Sequence, residues 1–198
     1  MKQFKNLYVL SAILFSMVLI SCESDDPVME NDEEVITDVT LRFTELDNSG
    51  ATVGDPFEFL ASDPQGIELG TPTIETVNLT KGKTYKLEIL LYNSIADEDI
   101  TEEVQEESDE HQFYFLGSAF VGSPILTYSY NDLNGEALGL VGEVIVAENP
   151  SFNNANMRIV LRHDLDKNFP GADNPNFENF VSAGGETDLD ITFPLVVN

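Results

Sequence analysis

The sequence predicts an all-β fold, an antiparallel β-sandwich with one short acidic helix inserted between strands. Three observations lead there. Short apolar/polar alternations recur along the chain. Gly, Pro and Asn clusters separate them. Only one stretch carries a helical pattern with a start signal.

Taken in order, Ile36 to Phe43 alternates, with Ile36, Val39, Leu41 and Phe43 among Thr and charged residues. Ile67 to Leu79 is broken by Gly70 and Pro72 and resumes with Ile74 and Val77. Thr84 to Tyr92 is the strongest strand, with Tyr85, Leu87, Ile89 and Leu91 on one face. His111 to Leu116 is rich in aromatics, and Ile125 to Tyr130 runs into the turn signal Asp132-Leu133-Asn134-Gly135. Val141 to Ala147, Met157 to Leu161 and Leu189 to Val197 complete the set. Asp99 can cap a helix of about Ile100 to Ser108, with Glu102 in the reciprocal position and Ile100 and Val104 on one face. From Asn168 to Gly185 the prolines and glycines predict a long loop, with Phe169, Phe177 and Phe180 available to tack it down. The segment Leu79 to Tyr85 resembles the tyrosine corner of immunoglobulin-like sandwiches, in which the Tyr hydroxyl bonds to backbone a few residues upstream. The expected architecture is therefore immunoglobulin-like, with a plain strand aromatic as the alternative for Tyr85.

The N-terminus is a separate unit. Lys2 and Lys5 precede an uncharged apolar run, Leu7 to Ile20, too short to span a membrane. The run ends in Leu19-Ile20-Ser21-Cys22, which resembles the bacterial lipobox. That resemblance implies cleavage before Cys22 and acylation of its thiol. The chain then divides into a signal peptide at residues 1–21, an acidic flexible tether at 22–34 and one domain at 35–198. Cys22 is the only cysteine, so the domain stands without disulfides. Cys22-Glu23-Ser24-Asp25-Asp26 resembles the acidic export signal of surface lipoproteins in Bacteroidota. The expected location is the outer membrane at the cell surface, with the periplasmic face as the alternative.

Charge narrows the partners. The whole chain carries a formal −27, and after cleavage seven basic residues would face 36 acidic ones. Such a chain is a poor ligand for nucleic acid or anionic lipid, and suits cationic partners or divalent metal. No Gly-x-Ser-x-Gly elbow, phosphate-binding glycine loop or His-Glu-x-x-His helix is present, and no enzyme activity is expected.

Three stretches, Glu33 to Thr37, Ala96 to Phe115 and Gly185 to Pro194, together resemble a group of small Bacteroidota lipoproteins of unassigned activity. Members of that group are often labelled as having a type 1 periplasmic-binding fold. One short helix and no strand–helix alternation argue against that label here. The resemblance and the address imply a binding or accessory lipoprotein, in one version a ligand-capture partner of a TonB-dependent outer-membrane receptor. A structural or adhesive surface protein is the rival reading.

The sharpest site expectation is a divalent-metal centre for zinc or copper. Nine acidic residues crowd Asp97 to Glu110, and those at the helix C-terminus are unfavourable there without a cation. The only two histidines, His111 and His163, stand at strand ends beside carboxylates. The candidate ligands are His111, His163, Glu107, Glu110 and Asp164. The competing reading is a solvated acidic helix with each histidine paired to a nearby acid. Asp164-Leu165-Asp166-Lys167-Asn168 begins like a calcium loop, but Phe169 and Pro175 break that pattern and predict a polar turn.

Overall fold

The computed structural model describes residues 34–198. The expected signal peptide, Cys22 and the tether up to residue 33 lie outside those residues. Glu34, read from sequence as the last tether residue, belongs to the folded unit, which runs from Glu34 to Asn198.

Among the described residues, ten strands and one α-helix follow in order: β1 (Asp38–Leu46), β2 (Thr52–Ser62), β3 (Thr73–Ile74), β4 (Val77–Leu79), β5 (Thr84–Tyr92), α1 (Ile100–Glu106), β6 (Gln112–Leu116), β7 (Leu126–Tyr130), β8 (Val141–Val146), β9 (Asn154–His163) and β10 (Glu186–Val197). They form a six-stranded sheet, β3-β2-β1-β5-β8-β7, and a four-stranded sheet, β4-β10-β9-β6. All pairs are antiparallel except β4 with β10. The chain is thus an all-β sandwich, not a pair of α/β lobes. No helix among the described residues is long and apolar enough to cross a membrane.

Period-two alternation explains the packing. Tyr85, Leu87, Ile89 and Leu91 of β5 are buried, as are Val39, Leu41 and Phe43 of β1. They meet Met157, Ile159 and Leu161 of β9 and Leu189, Ile191 and Phe193 of β10 in one core. Each such fully buried side chain contributes about 1.5–3 kcal/mol of transfer free energy, against the entropy of ordering it. The Tyr85 hydroxyl accepts a hydrogen bond from the Thr80 N–H at 3.2 Å, so the corner is formed as expected.

The sequence reading omitted β2. Its first half carries Gly54, Asp55 and Pro56 and is exposed, so alternation begins only at Phe57. Pro56 is tolerated because β3 pairs with β2 only at Ala61 and Ser62; among the described residues no strand covers Val53 to Phe59 on that side.

Helix α1 starts where Asp99 accepts the Thr101 N–H at 3.0 Å, and it drives Ile100 and Val104 into the core. It ends at Glu106, two residues before the expected limit. Glu107 caps it, and the Glu107 carbonyl accepts the N–H groups of Glu110 and His111, turning the chain directly into β6. The loop after β9 folds over the outer face of β6 and β9. Tyr114, Leu116 and Val160 pack there with Leu165, Ala172 and Phe180, and Phe169 and Phe177 lie against them. Arg162 fastens the far end by donating to the carbonyls of Gly184 and Gly185.

Candidate metal centre

Strand register brings the two histidines together. β6 and β9 pair from Leu116↔Arg158 to Gln112↔Arg162. One residue further along the same register sets His111 opposite His163. Both share the inward parity of Phe113 and Leu161. Their rings stack with centroids 4.4 Å apart and planes 15° apart. His111 is fully buried and His163 nearly so.

A bulge supplies a carboxylate. β10 pairs Thr187 with Arg162 and Leu189 with Leu161, leaving Asp188 as the extra residue. A bulge re-aims a side chain that regular pleating would turn outward. Asp188 is accordingly buried, with Oδ2 3.4 Å from His111 Nε2. Gly185 permits this closure. It has φ +71°, and a Cβ there would lie 2.0 Å from the His163 carbonyl oxygen.

The second carboxylate comes from the chain ahead of β1. Glu34 Oε1 lies 3.3 Å from His111 Nε2, and its side chain is only 5% exposed. On the other side of the ring, His111 Nδ1 is 3.3 Å from the Glu107 carbonyl oxygen and 3.9 Å from Glu107 Oε2. With a proton on Nδ1 directed at that carbonyl, Nε2 is the nitrogen facing Glu34 and Asp188, and loss of its own proton would free its lone pair for a metal. Metal-ligating histidines are held in this way.

The polar bookkeeping is unusual for a core. Among the described residues, His111 Nε2, both Glu34 oxygens, Asp188 Oδ2 and Glu107 Oε2 are buried with no hydrogen bond of ordinary length, only the longer ion-pair contacts around the His111 ring. Separations of 3.3 and 3.4 Å are long for N–H···O bonds, which run ~2.7–3.2 Å. They match another geometry. Ligands ~2.0–2.1 Å from a tetrahedral zinc stand roughly 3.3–3.4 Å from one another. The ligand atoms of Glu34, His111 and Asp188 all lie within 4.8 Å of one another.

Without a metal, a proton takes up part of this negative potential. Burial alone would push the His111 pKa down. The adjacent Asp188 and Glu34 carboxylates outweigh it and lift the pKa to about 10.

The chain matches no family model, no curated protein and no solved structure. What this centre can do therefore rests on its own geometry.

The five ligands expected from sequence do not surround one point. They form overlapping groups. Glu107 stands with His111 and His163, while Glu110 and Asp164 stand with His163. Glu110 Oε2 is 3.5 Å from His163 Nε2, and Asp164 holds a left-handed φ of 54°. The innermost group, Glu34 with His111 and Asp188, includes two residues the sequence reading missed. Beyond Asp164 the chain makes the expected polar turn, in which Asp166 Oδ1 accepts the Asn168 N–H.

Outside the centre, Glu98, Asp99, Glu102, Glu103, Glu106 and Glu107 line a groove of about 430 Å³ along α1. Partial burial, then the charges of Glu34, Glu107 and Glu98, raise the Glu103 pKa. The groove is a concentrated negative field that ends at Glu107.

Proposed function

We propose that this protein is a non-enzymatic, lipid-anchored lipoprotein of the outer membrane that binds a divalent transition metal through Glu34, His111 and Asp188. The observation that carries this reading is the fully buried His111 Nε2, held 3.3 and 3.4 Å from two buried carboxylates, distances that fit neighbouring ligands of one tetrahedral ion. Charge supports it as well. The two carboxylates carry −2 beside a neutral imidazole. A divalent cation cancels that charge, whereas an imidazolium cancels only half. Buried charges left unbalanced cost several kcal/mol each. One imidazole with two carboxylates suits zinc, with copper next; calcium would need six or more oxygens. The location rests on the signal resemblance ending at Cys22. That address and this chemistry together suit capture of a metal ion for an outer-membrane receptor.

Calorimetric titration of zinc into the chelator-treated full chain tests the reading. Micromolar or tighter binding is expected, lost in His111→Gln and in Asp188→Asn. Zinc at 100 times its Kd should also stabilise the fold by about 2.7 kcal/mol in a denaturant melt. Absence of binding would overturn the reading. So would binding that survives both substitutions.

A further inference from the structure

Resting on that reading, we propose that Arg162 is a positioning residue of the metal centre: it braces the β10 bulge in the register that turns Asp188 toward His111.

β10 has two ways to pass β9 here. With regular pairing, the step after Leu189↔Leu161 would set Asp188 opposite Arg162. Partners in an antiparallel pair share a face, so Asp188 would stand outside, its carboxylate against the guanidinium. Instead Thr187 takes the place opposite Arg162, and Asp188 is the extra residue, buried beside His111. That arrangement forgoes a charge-assisted pair between Asp188 and Arg162. Something local must hold it.

The chain leading into the bulge cannot hold itself. Gly184 and Gly185 have φ of +81° and +71°, and glycine has the widest choice of backbone conformation. The bulge also interrupts the ladder that would otherwise fix the register.

Arg162 supplies the missing restraint. Its Nη2 donates to the carbonyls of Gly184 and Gly185 at 2.6 and 2.5 Å, and its Nη1 donates to the Thr187 hydroxyl. All three acceptors are neutral, and all stand just ahead of Asp188. The Phe180 ring centroid lies 5.5 Å from the guanidinium, and Arg162 is only 4% exposed. Burying a cation among neutral acceptors is unfavourable. The planar fork explains its presence, because it bonds several acceptors at fixed angles where an ammonium could not. With the guanidinium engaged by Gly184, Gly185 and Thr187, Asp188 is left to the His111 ring.

Two measurements on the full chain in detergent test this. One is the NMR contact between the Asp188 β-protons and the His111 ring in the metal-free protein. The other is the calorimetric Kd for zinc. Arg162→Gln is expected to remove the contact and to weaken zinc binding by about thirtyfold. Arg162→Lys keeps the charge but not the fork and should behave like Arg162→Gln. Thr187→Val removes one of the three bonds; it should weaken the contact and lower zinc affinity by about fivefold. If Arg162→Gln does not fold, Thr187→Val decides alone. Asp132→Asn alters a buried carboxylate outside the centre and should leave the contact intact. Full rescue by Arg162→Lys would make charge the cause and overturn the proposal. So would an Asp188–His111 contact that persists unchanged in both Arg162→Gln and Thr187→Val. The contact is read without metal, so it stands apart from zinc binding. If the parent chain binds no zinc, the proposed function falls while the contact still tests Arg162. If it binds zinc and the contact ignores Arg162, only the brace falls.

Discussion

Asp132 and Asp188 are buried to almost the same degree, 8% and 5% exposed, but their oxygens meet different neighbours. Asp132 Oδ2 accepts the Gly139 N–H at 2.7 Å and Oδ1 accepts the Val141 N–H at 2.9 Å. It ties the loop after β7 to the start of β8. Burial raises its pKa by more than those backbone N–H groups lower it. Asp188 Oδ2 has no such donor and faces a histidine nitrogen and the neighbourhood of a second carboxylate. A carboxylate buried for architecture is met by backbone donors. Asp188 instead faces an imidazole, whose charged form or a bound cation would balance it.

The largest expected effect breaks the pair apart. Asp188→Asn should weaken zinc binding by a thousandfold or more, about 4 kcal/mol, while the chain still folds. Asp132→Asn should leave zinc affinity within threefold and lower stability by about 1–3 kcal/mol, because an amide NH2 would then confront a buried N–H. Titration calorimetry and urea unfolding of both variants give the comparison. Equal loss of zinc affinity in the two would dissolve the distinction drawn between them.

The next effect sharpens it through pH. In the metal-free chain the His111 pKa of about 10 lies above the ordinary ~6.5 of an unfolded histidine. The imidazolium's contribution to stability is therefore complete below pH ~6.5 and disappears as pH climbs through about 10. Glu34, Asp188, Glu107 and Glu103 are the carboxylates facing it, with His163 stacked on the ring. Chemical denaturation at intervals from pH 7 to 10.5 should show a decline of a few kcal/mol that His111→Gln flattens. Parallel profiles for the two chains would remove His111 from the account. Zinc must displace the same proton, so its affinity should rise about tenfold per pH unit over the lower part of this range.

The smallest effect lies at a site far from these charges in character. Tyr85→Phe removes only the hydroxyl that accepts the Thr80 N–H. About 1 kcal/mol of stability should be lost, with zinc affinity unchanged. A change in zinc binding there would mean that the sandwich and the centre are not separable.

The legible parts of this fold are those set by local pattern. β5 runs from Thr84 to Tyr92 as its alternation requires, and Asp99 caps α1 as its position requires. β2 was illegible because half of it is an exposed edge, where no buried face imposes a pattern. At the centre, His111 and His163 were legible as rare ligands at strand ends. Their meeting depends on the β6–β9 register, which no local signal states. Asp188 escaped notice because only a bulge turns it inward; the preceding Gly184-Gly185 was the available hint. Glu34 was hidden among identical neighbours. It ends a run with Asp32 and Glu33, and only tertiary contact separates a ligand from a solvated acid.

The uncovered side of β2 has a consequence for encounters between copies of this chain. An open strand edge is a template on which a second chain can add its own strand. Pro56 offers no N–H to such a visitor, and Asp55 and Glu58 bring like charges against an identical edge. The same residues that obscured β2 in the sequence thus keep neighbouring molecules from polymerising sheet to sheet.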